Sequence, residues 1–267
     1  MTAPYDIIDI GVNLAHRSFH GDRKEVIQRA FDAGVRTMVI TGTSQASSQE
    51  AQRIAREYPG QLFSTAGVHP HDSRNCTMET IAELRRLAAF EQVVAIGECG
   101  LDFNRDFSPR PQQEKWFEAQ VALAEELQMP LFLHERDAAQ RFYDILTAGR
   151  KSVPAVVHCF TGSRDSLKMY LDLGLHIGIT GWICDERRGK RLRELVREIP
   201  LVRLMIETDA PFLLPRSMRV KPKDGRNEPC FLPYVLQAVA DCVGKPTEEV
   251  ARATTATARN FFKFSKT

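Results

Sequence analysis

The sequence predicts an α/β protein, a single closed (β/α)8 TIM barrel spanning residues 1–267 with an additional C-terminal helix. Three observations carry that expectation. Eight short β-branched or apolar runs, bounded by Gly, Pro and polar turns, recur about every 28 residues, the length of a strand plus a helical return. The intervening segments show helical spacing of their apolar residues. No linker-like Ser/Gly/Pro tract divides the chain, and α/β barrels use roughly 250 residues as one domain. A doubly wound open sheet is the alternative, and it needs two of the eight runs not to be strands.

The expected strands cover residues 6–12, 37–43, 63–69, 93–98, 131–134, 155–160, 176–182 and 204–209. The first helix, over residues 22–31, gathers Val26, Ile27, Ala30 and Phe31, with Gly34 where it should stop. Ser108 and Pro109 read as N-cap and first-turn residues ahead of Trp116, Ala119, Leu123 and Leu127. Asp137 followed by Gln140 resembles a capping box for a helix burying Phe142, Ile145 and Leu146. Pro130 and Pro154 stand just before strands five and six. A polar, basic stretch over residues 211–226 follows strand eight, then helices around 232–243 and 248–262, the last being the addition.

Composition narrows the function. With 36 Lys and Arg against 34 Asp and Glu, the formal charge is +2, so no single sign dominates the surface. Hydrophobic residues at 43% and charged residues at 26% are those of a globular chain that buries a sizeable core. The N-terminus lacks a secretory signal, and no apolar run approaches the roughly 18 residues of a membrane span. The six cysteines show no CxxC spacing, so reduced thiols in a cytoplasmic protein are expected. Nothing calls for a membrane or an obligate protein partner, and a monomer is expected.

Chemistry gathers where the strands end. In a parallel barrel the C-terminal strand ends share one mouth, where active sites form. Strand one offers Asp9 and Asn13 there, strand three His69 and His71, strand four Glu98, strand five His134 with Arg136, strand six His158 and strand eight Asp209. Alternation places Glu98 with Val94 and Ile96, His134 with Phe132, His158 with Val156, and Asp209 with Met205 and Glu207, each on one face. Cys99 and Cys159, one residue on, read as small hydrophobes facing the helices. A lone strand-end His or Glu is usually a hydrogen-bonded core residue. Burying two carboxylates and two imidazoles around one mouth is costly without a cation. Two His and one Glu with an open position form a catalytic metal arrangement, and an added Asp can bind the metal or take a proton from its water.

The segments IDIGVNL, GVHPHD, AIGECGLDF, LFLHERDA, VVHCFTG, GITGWICDERRG, MIETDAPFLLPR and RNEP together resemble the TatD deoxyribonuclease family, in order and over nearly the whole chain. The resemblance implies a metal held by Glu98, His134 and His158, with Asp209 beside it as ligand and catalytic residue. It implies 3′ to 5′ exonuclease action on DNA, single strands preferred, with a role in DNA repair or degradation; RNA is the open alternative substrate. Magnesium is the implied ion, with manganese and zinc as alternatives. Many members carry Asp-x-His-x-His in strand one, whereas Gly11 and Asn13 stand at the histidine positions here. One firm metal site is therefore expected, and the second is in doubt. On this reading His69 orients the scissile phosphate or protonates the leaving oxygen, with His71 supporting it.

A phosphodiester also needs cations. The loop after strand seven offers Arg187, Arg188, Lys190 and Arg191 against Asp185 and Glu186. The stretch after strand eight offers Arg216, Arg219, Lys221, Lys223 and Arg226 against Asp224. Arg187, Arg188, Arg136, Asn13 and His71 are the expected substrate contacts, with an ion pair to Glu207 or Asp137 as the structural alternative for Arg136. Phe103, Phe107 and Trp182 lie in rim loops where they can stack on bases or merely cover the barrel top. The rival functions are an amidohydrolase-like enzyme cleaving a C–N or ester bond of a small metabolite, and a nucleic-acid-binding barrel without activity.

Overall fold

The computed structural model describes residues 5–264. Its elements run β1 (Ile7–Val12), α1 (Arg23–Asp32), β2 (Val35–Ile40), α2 (Gln45–Arg56), β3 (Leu62–Ala66), α3 (Met78–Ala88), β4 (Val93–Asp102), α4 (Arg110–Leu127) and β5 (Leu131–Arg136). They continue α5 (Ala139–Gly149), β6 (Ala155–Val157), α6 (Arg164–Asp172), β7 (His176–Ile179), α7 (Lys190–Leu195), β8 (Leu204–Ile206), α8 (Leu232–Val243) and α9 (Thr247–Phe262). The strands form one sheet in the order β1 to β8. Pairing is parallel between β1 and β2, along β3, β4, β5 and β6, and between β7 and β8. Strictly sequential order with a helix after each strand is the (β/α)8 pattern, since a doubly wound sheet reverses its order part-way. The helix α9 is the expected addition. No helix among the described residues is long and apolar enough to cross a membrane.

The chain divides into two compact units, Met1–Ile40 with Ile177–Thr267, and Thr41–His176. In the first, the chain beyond β8 returns to the end of β1: the Asp209 N–H donates to Gly11 O and the Asn13 N–H to Ala210 O, both at 2.8 Å. Ile10, Val12, Met38, Ile177 and Ile179 are wholly buried. Glycine at the left-handed end of α8, Gly244 at φ 66°, stops that helix.

The second unit is built from β3 to β6 and α2 to α6. Ser44 and Ser47 form a reciprocal capping box on α2, and Thr77 and Thr80 do the same on α3. Phe117 and Phe142 stack at 5.2 Å, and Phe142 meets Tyr170 edge-on at 5.5 Å. The Tyr170 hydroxyl donates to Glu135 at 2.8 Å. That leaves the other Glu135 oxygen to take the Ala138 N–H at 2.7 Å, where α5 begins.

Several local expectations are corrected. The strands β2, β3, β6, β7 and β8 end three residues before the predicted limits, while β4 and β5 run further, to Asp102 and Arg136. Ser108 does not cap α4, whose N-cap position is Pro109. Its hydroxyl instead donates to His71 O at 2.8 Å and accepts the Arg74 N–H at 3.0 Å. Asp137 does not cap α5 either, because its left-handed φ of 52° turns it away and its carboxylate accepts the Asn104 amide at 2.7 Å.

Arg226 belongs to a salt-bridge network rather than to a free cationic stretch. It donates to both Asp22 oxygens at 2.8 and 2.7 Å and to Glu228 at 2.8 Å, and Arg29 reaches Glu228 at 2.8 Å. Its guanidinium also lies 5.1 Å from the Phe19 ring. The Arg226 hydrogen bonds hold the Asp22 carboxyl below its ordinary 3.8, so the stability this pair contributes is complete above that value and is lost as pH falls below it. Arg226→Ala should lower unfolding stability by about 2 kcal/mol near neutral pH. Urea unfolding at pH 7 and pH 3 should show the wild-type advantage shrinking at the lower value.

Candidate metal centre

Glu98 lies within β4, next to Cys99. The two flanking glycines let β4 press against β5: a Cβ on Gly97 would sit 2.1 Å from Phe132 O, and one on Gly100 1.9 Å from His134 O. That close approach brings the Glu98 carboxylate to the His134 ring. The register of β4 against β5 also shifts between Gly97 and Cys99, so simple alternation does not run through Glu98. Cys99 is fully buried, and burial pushes its thiol up, which fits the small-hydrophobe reading.

Three imidazoles converge on one oxygen, Glu98 Oε1. His158 Nε2 lies 2.7 Å from it, His134 Nδ1 3.1 Å and His69 Nε2 3.3 Å. Burial alone would raise the Glu98 carboxyl, but the histidines outweigh it and hold the group well below its usual range. Donor atoms of His69, Glu98 and His134 all lie within 4.8 Å of one another. One buried carboxylate with imidazole nitrogens at this spacing is the donor chemistry of a divalent cation, so the residues fit a metal.

The histidines are not equivalent. His69 follows β3 at the cap of the Pro70–Asn75 turn, and its Nδ1 accepts the His71 N–H at 3.0 Å. Nε2 therefore keeps its hydrogen and faces the cluster as a donor. Burial, opposed by Glu98, brings this ring down to about 4, so it stays neutral near pH 7. His134 lies between two carboxylates, with Nδ1 at Glu98 and Nε2 3.5 Å from Asp102 Oδ2. Burial pulls its pKa down, but the Asp102 and Glu98 hydrogen bonds raise it overall.

Asp102 is the carboxylate beside the cluster that strand-end reasoning missed. The predicted strand stops at residue 98, whereas β4 carries on to place this side chain 2.6 Å from His71 Nε2. Its other oxygen accepts the Asn104 and Arg105 N–H groups at 3.1 and 2.8 Å. The only sequence signal was the Asp of AIGECGLDF, four residues beyond Glu98.

The other expected residues fall as follows. Arg136 Nη1 donates to Thr161 at 3.1 Å, and its Nε is 3.9 Å from Asp137. In the first unit, Asn13 Nδ2 donates to Asp209 Oδ1 at 2.9 Å, and Asp209 adopts a left-handed φ of 54°. Asp9 is wholly buried and accepts from the Gly11 N–H and from the Thr208 N–H and hydroxyl at 3.2, 3.0 and 2.5 Å. Burial pushes its carboxyl up to about 8 despite those donors. The Arg187 and Arg188 N–H groups each donate to Asp185 at 2.9 Å, leaving both side chains exposed, while Arg216 pairs with Asp185 at 3.1 Å.

A parallel (β/α)8 fold with a buried carboxylate and histidines at its strand ends defines the class of metal-dependent hydrolases. The family model described as TatD related DNase matches residues 8–263, and the chain belongs to that family. A protein named 3'-5' ssDNA/RNA exonuclease TatD from Pantoea vagans is 54% identical over 260 residues, covering 97% of this chain and all of the relative. The protein of the same name from Erwinia tasmaniensis is 55% identical over 257 residues, covering 96% of this chain and 99% of its own length. Among solved structures, the TatD homolog YjjV from Escherichia coli has a TM-score of 0.89 at 27% identity, covering 97% and 99% of the two chains. A TatD family hydrolase from Entamoeba histolytica has a TM-score of 0.88 at 26% identity, covering 99% and 100%.

Replacing Asp102 by Asn should lower affinity for a divalent ion roughly 10–100-fold, because the carboxylate beside His134 and His71 is lost while the fold is kept. Calorimetric titration with Mn2+ or Zn2+ measures this, with Glu98→Gln as the more severe comparison.

Proposed function

We propose that this protein is a metal-dependent exonuclease that removes nucleotides from the 3′ end of single-stranded DNA and RNA. The observation that carries the reading is the convergence of three histidines on buried Glu98, in a chain 54% identical to proteins named for that activity. Glu98, His134 and His158 would hold the ion. When bound, a divalent cation supplies a Lewis acid for the phosphoryl oxygen and acidifies a water.

The chain's own residues account for the remaining work. Asp209, oriented by the Asn13 amide, accepts the proton of the attacking water. His69 presents its Nε2 hydrogen to a non-bridging phosphoryl oxygen, a donor whose strength grows in importance as charge builds there. The water oxygen bonds to phosphorus while the P–O3′ bond breaks, and the departing O3′ takes its proton from solvent water beside His71, which Asp102 orients. Arg136, Arg187 and Arg188 contact phosphates further along the strand.

Family likeness points to magnesium, while imidazole nitrogens suit manganese or zinc better than they suit magnesium, so the three are to be ranked by add-back. The family match over residues 8–263 supports one catalytic domain, and the six cysteines, none of them in a disulfide, fit a reducing cytoplasm, where we place it as a monomer.

Purified protein should shorten a 5′-labelled single strand one nucleotide at a time from its 3′ end. EDTA should stop this, and restoring a divalent ion should recover it. Asp209→Asn should cut kcat by roughly 10²–10⁴-fold with KM little changed. Activity in EDTA, or an unchanged kcat in Asp209→Asn, would overturn the assignment.

A further inference from the structure

The loop joining β4 to α4 holds an aromatic side chain half in water beside the histidine cluster. Phe107 is 49% exposed, and its ring lies 4.7 Å from the His71 ring in an edge-on arrangement. His71 is itself 4.2 Å from His69, whose Nε2 faces Glu98. Only one imidazole ring thus separates Phe107 from the rings at the candidate metal centre.

The loop is fixed rather than draped. Buried Gln113 accepts the Asp102 N–H at 2.8 Å and donates to Ser108 O at 2.8 Å and to Asp102 O at 3.2 Å. Ser108, wholly buried, ties the next residue to His71 O and the Arg74 N–H. Buried hydrogen bonds on both sides of an exposed phenyl ring hold it in one place without covering it. Arg105 lies 5.9 Å from the same ring and forms no ion pair among the described residues. A half-exposed phenyl ring, a guanidinium near it that forms no ion pair among the described residues, and the histidine cluster in one small region match the base and phosphate of one nucleotide.

The other two rim aromatics are differently placed. Phe103 already carries the Arg110 guanidinium at 4.4 Å, and Arg110 is paired to Asp106. Trp182 lies in the first unit, partly exposed, with Arg188 at 5.9 Å.

Building on the nuclease reading, we propose that Phe107 is the stacking platform for an unpaired nucleobase next to the scissile phosphate, with Arg105 contacting the adjoining phosphate. Stacking needs a base free of its partner, so this contact selects single strands or frayed ends over intact duplex. It is sequence-tolerant, because every base has a π-face.

The test is an abasic scan of a fluorescent single-stranded oligonucleotide. Kd is read by anisotropy with metal-free protein, and KM and kcat by digestion with the ion restored. For the wild type, removing the base at one position near the 3′ end should weaken binding roughly tenfold, with smaller effects elsewhere. Phe107→Ala should show that tenfold loss on the intact strand and no further loss on the abasic one, in KM rather than kcat, and Phe107→Trp should restore it. A flat scan on the wild type overturns the proposal without any variant. So does a Phe107→Ala protein that binds like wild type, or penalties from the two changes that multiply. Loss of digestion with the binding scan intact counts against the nuclease reading alone.

Discussion

A carboxylate taken out of water has to be answered by positive charge or by donors, and the second unit is organised around answering Glu98. The groups that face its Oε1 are imidazole nitrogens of His69, His134 and His158. His134 shows the tension best, since both of its nitrogens face carboxylates, Nδ1 at 3.1 Å and Nε2 at 3.5 Å. A divalent ion held by Glu98 and the imidazole nitrogens would supply the positive charge that the buried carboxylate calls for. Glu98 thus fixes which side chains have to approach, and Gly97 and Gly100 make the approach sterically feasible.

The tautomer of His69 divides the cluster into two kinds of histidine. Its Nδ1 is committed to a backbone N–H two residues on, so a neutral His69 cannot offer a lone pair at Nε2. It is a hydrogen donor at the centre, whereas His134 has no backbone donor imposing a tautomer on it among the described residues. Closeness alone groups His69 with Glu98 and His134 as ligands. Hydrogen-bond direction sets it apart from His134 as the ring whose Nε2 hydrogen faces Glu98.

Much of this was legible in the sequence because barrel chemistry concentrates at strand ends, and strand ends are marked by Gly, Pro and polar residues. Glu98, His134 and His158 were found that way, and so was the sequential strand order. What escaped notice depended on backbone departures that periodicity cannot register. The shift between Gly97 and Cys99 breaks the two-residue alternation, and with it any reason to read past Glu98 to Asp102. Ser108 and Asp137 sit where capping residues belong, but each is claimed by a partner distant in sequence, His71 O and Asn104. Charge counting failed similarly at Arg226, whose compensation by Asp22 lies 204 positions away.

The same long-range hydrogen bonds tie recognition to chemistry. Gln113 holds both ends of the Asp102 to Ser108 segment, so it positions the carboxylate that orients His71 and also sets the place of Phe107. A rigid segment is what such a double role demands. A strand end set by ladder hydrogen bonds fixes Asp102, while an ordinary surface loop would let the adjoining aromatic wander on the nanosecond timescale. Buried side-chain hydrogen bonds extend the order of β4 into the loop, so the Phe107 ring is held with the same precision as Asp102. One buried side chain thus sets the places of both Asp102 and the segment that carries Phe107, and a change that loosens Gln113 should be felt in both.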